Sequence, residues 1–424
     1  MLIAGGGLAL LGLAAHAQVQ TQARETSAPA LTPALSLPQA LQAARDNLQV
    51  RLARQNAAAA RGDIAAADHA SAPVLTAKAS SIDLQNGLGG GNVVRDKRID
   101  KSVGLDWTLE RGNKRELRTT QARRAAEAAE LDLDETTVQQ QVVTAGAFWD
   151  LVAAQQRLAQ VQALERHAGE LSQAAQRRLR AGDVSQQEAL RTEIEARRAS
   201  AELRAVEADR QKAAVTLAEL TGLPAATLAA EADWPQPAPN TMPAADLDRR
   251  PAVRAEIQRV AAAESALQGA MALRRNDVTV GASYDHFPGT SRRLFELRLQ
   301  MPLAGVFGNY GYEGEIMRAQ AQLNQAQVQL DKARRDADSD NARLRADLAA
   351  AAARSAEFTT TIVPRARQVA EMAELAYSRG ALPLVDLIES RRTLRAVLLD
   401  EIDVRAAYAR ALAAWELRQA PPAP

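Results

Sequence analysis

Apolar residues recur along this chain with two periods, and each period predicts a different element. Over long stretches the steps alternate three and four. Ile316, Ala319, Leu323, Ala326, Leu330, Ala333, Ala337, Asp340, Leu344, Asp347 and Ala351 form one stripe, broken only by the two Asp. Ala196, Ala199, Leu203, Val206, Arg210, Ala213, Leu217 and Leu220 form another, with Arg210 the exception. A repeat of 3.5 predicts helices that supercoil left-handedly on their neighbours, and Ala at many seam positions lets the axes come close. Elsewhere the period is two. Val103, Leu105, Trp107 and Leu109 alternate with Gly104, Asp106, Thr108 and Glu110. Val278, Val280, Ala282 and Tyr284 alternate with Asp277, Thr279, Gly281 and Ser283, and Phe295, Leu297, Leu299 and Met301 with Glu296, Arg298 and Gln300. This alternation marks half-buried strands with one apolar face.

The breaks between these stretches also repeat. Gly89-Gly90-Gly91 interrupts one strand-like region and Pro288-Gly289 another, at an offset of 288 − 89 = 199. Gly182 breaks one long helical pattern and Gly380 another, and 380 − 182 = 198. Two unrelated kinds of punctuation at nearly one offset predict an internal duplication. Each copy reads helix, strand, loop, strand, very long helix, Gly turn, returning helix. The first copy predicts a helix over about 38–68, strands near 74–84 and 101–110, and a long helix over about 114–179. The second opens near Arg250, with strands near 277–284 and 294–301 and a long helix over about 313–378. Pro364 lies inside that last helix, where it must bend the coil or mark a joint. At 1.5 Å per residue, a helix of about 65 residues is about 100 Å long, several times the thickness of a bilayer.

The expected organisation is a signal peptide over 1–17, an extended segment over 18–34, a first helix–β-hairpin–long-helix-hairpin repeat over 35–231, a Pro-rich connector over 232–248, a second repeat over 249–420 and a disordered tail over 421–424. The signal peptide rests on the apolar run Leu8 to Leu13 and the A-x-A site Ala15-His16-Ala17, although no basic residue precedes Arg24. No later segment reaches the roughly 20 apolar residues of a membrane-spanning helix. An exported chain that enters a membrane must then do so as a barrel. Charged residues on the second face of each strand suit a water-filled lumen, and four strands per chain require oligomerisation to close it. Alternation by itself leaves open a small soluble sheet capping a coiled coil.

Composition narrows the picture further. Aromatics make up only 3% and the net charge is +1, which suits thin helical packing and gives no electrostatic reason for a nucleic-acid partner. With no cysteine, disulfides, thiolate metal sites and Cys nucleophiles are excluded. The four His are scattered without ligand spacing, and no Gly loop of phosphate-binding pattern precedes a helix. No enzyme, no cofactor and no metal site are expected.

With these features assembled, the chain resembles the TolC-type outer-membrane efflux proteins over nearly its whole mature length. Leu35-Ser36-Leu37-Pro38-Gln39-Ala40-Leu41 looks like the family's opening helix, and Arg249-Arg250-Pro251-Ala252-Val253-Arg254-Ala255 like the start of its second repeat. The most specific match is Ala376-Tyr377-Ser378-Arg379-Gly380 followed by Leu384-Val385-Asp386-Leu387-Ile388-Glu389. Leu109-Glu110-Arg111-Gly112-Asn113-Lys114-Arg115, with Met301-Pro302-Leu303 before Gly308-Asn309, looks most like the heavy-metal branch (CzcC-like, CusC-like). The resemblance implies a mainly α fold with a small β part: long coiled-coil hairpins forming an α-barrel, and four β-strands per chain contributing to a trimeric transmembrane β-barrel. It also implies a homotrimer in the outer membrane, in contact with lipid and extending into the periplasm. The implied partners are a periplasmic adaptor and an inner-membrane pump, typically of the resistance-nodulation-division (RND) class. Some branch members carry a lipid on a Cys after the signal, and this chain is expected to carry none.

By position, the resemblance makes Tyr377, Asp386 and Glu389 constriction residues, with Gln187 and Glu188 at the corresponding sites of the first copy. A basic residue that some members place two positions after the second Gly is Leu382 here, so a gate salt bridge through that position is absent. Three copies of Asp386 and Glu389 would form an acidic ring favouring cations. The alternative is a solvated helix start, where acidic residues favour the positive dipole end. Arg180, Gly182, Val184, Arg379 and Gly380 form the two exposed tips, where Gly is first a helix C-cap and, by the resemblance, an adaptor-docking surface. The function implied is a passive channel of a tripartite efflux system, with heavy-metal cations as the cargo. A soluble periplasmic coiled-coil adaptor or scaffold, and a duct for drugs or type I protein secretion, stand as alternatives.

Overall fold

The computed structural model describes residues 34–82, 85–92, 98–237, 246–288, 290–303 and 310–419. The expected signal peptide, the 18–33 segment, residues 238–245 of the connector, Gly289, Gly308-Asn309 and the 421–424 tail lie outside these residues. From Ala34 onward the chain is one compact unit.

The first helices are set by their caps. Ser36 and Gln39 form a capping box that starts α1 (Leu37–Ala44), with Pro38 in its first turn. One continuous helix over 38–68 is not what forms. The chain turns at 45–47 and restarts as α2 (Leu48–Ala67), where Asn47 accepts from the Gln49 amide at 2.9 Å. The side-chain amide of Asn47 also donates to the Leu220 carbonyl at 2.9 Å. One residue thus starts α2 and satisfies a carbonyl at the end of α4 (Gln186–Thr221).

Strand β1 (Val74–Ser80) ends earlier than its sequence reading, and β2 (Asp100–Leu109) leads into α3 (Lys114–Ala181). In the second copy, α5 (Pro251–Ala272) is followed by β3 (Val278–Phe287), β4 (Ser291–Gln300) and α6 (Glu313–Glu357). A π-helical turn over Phe358–Ile362 separates α6 from α7 (Val363–Ser378), and α8 (Leu384–Gln419) returns. The π turn ends two residues before Pro364, whose missing N–H makes an uninterrupted ladder impossible there. The residue just before each long helix is left-handed in both copies: Asn113 at φ 57° and Tyr312 at φ 63°, with 312 − 113 = 199.

The four strands form one antiparallel sheet in the order β1-β2-β3-β4, so a strand from each copy meets at the centre. The largest buried cluster sits midway along α3, where Phe148, Trp149, Leu151 and Val152 meet Ala40, Ala214, Leu217, Ala409 and Ala413. A strap crosses this level. Leu35 pairs with Ala230 in parallel, Gln155 holds both backbone groups of Ala230 at 3.0 and 2.9 Å, and Trp234 stacks on Trp149 at 5.4 Å.

The helical stripes hold, with one shift. In α6 the buried positions are Ala319, Leu323 and Ala337, then Asn341, Leu348 and Ser355. Asp347 is exposed and Leu348 is fully buried, so the seam moves by one residue after Asp340. The reason is a change of neighbour. Helix α5 begins beside Asp340, where Arg250 pairs with it at 3.0 Å, and beyond that point α8 takes over, with Gln419 donating to Asn341 at 3.3 Å. A straight helix drifts by about 20° per heptad against a 3.5 repeat, and the exchange of partner absorbs that drift. Both other polar exceptions have partners or solvent: Arg210 donates to the Leu228 carbonyl at 2.8 Å, and Asp347 faces water.

Candidate functional site: the sheet faces and the helical tips

Alternation and register assign each strand residue to one of two faces. One face carries Leu75 and Ala77 from β1, Val103, Leu105, Trp107 and Leu109 from β2, Val280, Ala282 and Tyr284 from β3, and Phe295, Leu297 and Leu299 from β4. This apolar face is the exposed one: Leu297 and Leu299 are 74% exposed and Phe295 68%. The opposite face is polar, and at its centre it is covered, with Asp285 2% and Ser283 9% exposed. The distribution is inverted relative to a soluble sheet.

The polar face is tied across all four strands. Asp106 of β2 accepts from Thr76 of β1 at 3.3 Å and from Arg298 of β4 at 2.6 Å. The Arg298 pair passes over β3 at Gly281, where a Cβ would lie 2.1 Å from the Asp106 carboxylate. Gly281 therefore makes room for an ion pair between non-adjacent strands. Thr108 and Thr279 share a further hydrogen bond of 3.0 Å.

At the far ends of the helices, both turns close in the same way. Asp183 N–H bonds the Arg178 carbonyl at 2.9 Å, and Ala381 N–H bonds the Ala376 carbonyl at 2.9 Å, each spanning five residues. With Gly182 at φ 81° and Gly380 at φ 73°, both are Schellman turns. Arg180, Gly182, Arg379 and Gly380 are exposed and Val184 half-buried. Glu188 is engaged in a capping box with Ser185, and Gln187 is exposed beside it. Asp386 is exposed in the first turn of α8, whereas Glu389 is 3.5 Å from Arg392 and lines an open cleft with Arg191, Arg198 and Arg392. Tyr377 is half-buried, and its hydroxyl accepts from Arg178 at 3.4 Å.

The hairpins are also joined by pairs that the motif comparison did not single out. Glu195 of α4 binds Arg392 of α8, and Glu202 binds Arg395. The hydrogen bond that Arg392 donates to the Glu195 carboxylate is the largest influence raising the Arg392 pKa above its ordinary value. These partners lie 392 − 195 = 197 and 395 − 202 = 193 apart, near the repeat offset of 198–199 but not on it, so a scan at the exact offset would have missed both. Among the described residues no group of His, Asp and Glu has the arrangement of a metal site, and no helix is long and apolar enough to cross a membrane.

Residues 37–223 match the family model described as "Outer membrane efflux protein". Over this stretch, 187 of the 424 residues, the chain is similar to that family. Solved structures extend the likeness in fold to both copies. A membrane protein from Pseudomonas aeruginosa aligns at 16% identity and TM-score 0.76, covering 90% of each chain. The transmembrane channel CusC aligns at 14% and 0.75, covering 90% of this chain and 91% of the other. The outer membrane protein VceC of Vibrio cholerae aligns at 17% and 0.72, covering 91% and 97%. No curated protein matches. The fold is that of the TolC-like efflux channels: helical hairpins with four antiparallel strands per chain.

Proposed function

We propose that three copies of this chain close a twelve-stranded barrel in the outer membrane (3 × 4 strands) and continue it as a helical tunnel through the periplasm. The complex would serve as the passive exit channel of a tripartite efflux system. The observation that carries this reading is the inverted sheet. Its apolar face is bare, its polar face is tied by the Thr76–Asp106–Arg298 network, and its edge strands β1 and β4 are those a neighbouring copy would pair. Strands of 10 residues match the length that crosses a membrane when tilted. A soluble adaptor would leave Phe295, Leu297 and Leu299 in water, and soluble proteins rarely expose so continuous an apolar patch.

On this reading Tyr377, Asp386, Glu389, Gln187 and Glu188 line the narrow periplasmic end. Arg180, Gly182, Val184, Arg379 and Gly380 receive a periplasmic adaptor that links the channel to an inner-membrane pump of the RND type. Heavy-metal cations are the proposed cargo. Two things support this: the likeness of the loops before the long helices to the heavy-metal branch, and an acidic excess on the polar strand face. There Asp100, Asp106, Asp285 and Glu296 outnumber Lys78 and Arg298. Detergent-free fractionation tests the core of the proposal. The chain is expected in the outer-membrane fraction as a species that conducts in planar bilayers; recovery in the soluble periplasm refutes it.

A further inference from the structure

The helices that adjoin the sheet stand in a row. Helix α2 packs on α3, α3 on α5 and α5 on α6, which leaves α2 and α6 at the two ends. Each end helix carries a second stripe on its outer side. The buried side of α2 holds Val50, Ala57 and Ala67. Leu48, Leu52, Gln55, Ala59, Gly62 and Ala66, at steps of four and three, are all exposed, Leu48 at 69%. The buried side of α6 holds Ala319, Leu323 and Ala337. Met317, Ala321, Asn324, Val328 and Asp331 are exposed at the same kind of spacing, Met317 at 72% and Val328 at 67%. Apolar residues at such steps are the seam of a coil and call for a facing helix. Gly62 points the same way. Gly inside a helix is destabilising relative to Ala, and a Cβ at this position would meet nothing within 4 Å. Packing within the chain gives no reason for a Gly there, whereas a second helix lying close does.

We infer that α6 of one copy packs antiparallel on α2 of the next, with Val328 against Leu52 and Met317 over Gly62. This rests on the barrel reading above, in which β4 of one copy pairs with β1 of its neighbour. Helix α6 continues from β4 and α2 leads into β1, so the helical contact extends the strand contact and the two helices run in opposite directions. The facing side chains agree. Read in opposite directions, the stripes set Leu52 on Val328, Ala59 on Ala321 and Gly62 on Met317, with polar Gln55 opposite Asn324. The flanking charges agree as well. Arg51 falls beside Asp331, and Asp63 beside Arg318. Arg51, Asp63 and Asp331 are exposed and make no ion pair among the described residues, so the neighbouring copy supplies what the chain itself does not. Sliding α6 by one heptad sets Leu52 against Arg335 and Gly62 against Asn324, and both matches are lost.

The chain has no cysteine, so paired substitutions report on this contact directly. Full-length Leu52→Cys/Val328→Cys and Gly62→Cys/Met317→Cys are oxidised in the membrane and run on denaturing gels without reductant, with assembly read in parallel by native mass spectrometry. Both should shift from a single chain to a covalent trimer, and reductant should reverse the shift. Leu52→Cys/Met317→Cys is out of register by 328 − 317 = 11 residues, about 16 Å along a helix. That exceeds the separation of about 7 Å that a disulfide can span, so this variant should stay a single chain on the gel. A native trimer whose in-register pairs fail to link overturns the α2–α6 contact alone. Equal linking of the out-of-register pair overturns the register. A wild-type chain that forms no trimer overturns the barrel reading and the contact together, and native mass spectrometry distinguishes that result.

Discussion

Replacing Asp340 by Leu sets the helical stripe against the tertiary structure, because the two predict opposite signs. Position 340 falls on the heptad seam of α6, where Leu is what the pattern wants. Burying about two-thirds of a Leu side chain there is worth about 1–2 kcal/mol. In the fold, however, Asp340 is the partner of Arg250 at 3.0 Å, and the Arg250 side chain is only 11% exposed. Removing one member of a buried pair costs about 3–5 kcal/mol because the other charge stays behind without compensation. Asp340 is itself 35% exposed, which lowers that figure to about 2–3 kcal/mol. The net expectation is destabilisation by about 1 kcal/mol, concentrated at the start of α5. Hydrogen exchange of the Arg254 amide, which bonds the Arg250 carbonyl at 3.0 Å, reads this locally. It should speed up by about fivefold. The double variant Arg250→Leu/Asp340→Leu leaves no buried charge and should return to wild-type protection or better. An Asp340→Leu protein that exchanges more slowly than wild type, or a double variant no better than the single one, would refute the reasoning.

Three further outcomes are expected. Gly380→Val adds a side chain that meets nothing within 4 Å but holds it at φ 73°, so the tip should lose about 1–2 kcal/mol of local stability. Adaptor-dependent export should weaken while trimers persist on native gels; loss of the trimer would make the tip structural. Neutralising the tip with Asp386→Asn and Glu389→Gln should lower cation preference in planar-bilayer reversal potentials, and unchanged selectivity would count against an acidic constriction. The Asp134 carboxyl is held above its ordinary pKa, first by burial and also by Glu130, against an opposing effect of Arg254. The folded chain thus binds this proton more tightly than the unfolded one, and the ionised form weighs against folding at neutral pH. Asp134→Asn should therefore raise the melting temperature at pH 7, with the gain vanishing by about pH 3, below both pKa values; a gain independent of pH would remove burial of the charge as its cause.

Much of this architecture could be read from local pattern, because helical and strand periods, Gly turns and prolines act through neighbouring residues alone. The stripes of α4 and α6, the alternating strands, the recurrence of Gly182 at Gly380 and the joint at Pro364 are all of this kind. The Tyr377, Asp386 and Glu389 tip was legible only as a motif, without its surroundings. What the sequence could not decide were relations between distant segments. Alternation assigned Phe295 and Leu297 to one face, but only the packed chain left that face bare and covered the centre of the polar one. Heptads carried the seam through Asp347, and the exchange of α5 for α8 moved it to Leu348. Asp340 and Arg210 looked like flaws in their stripes until Arg250 and the Leu228 carbonyl were brought to them from 90 and 18 residues away. Asp106 and Arg298, 192 residues apart, meet because Gly281 leaves room above the strand between them. Periodicity is a property of the backbone and survives without context. The partner of a charge and the exposure of a face are set by whatever the rest of the chain places beside them.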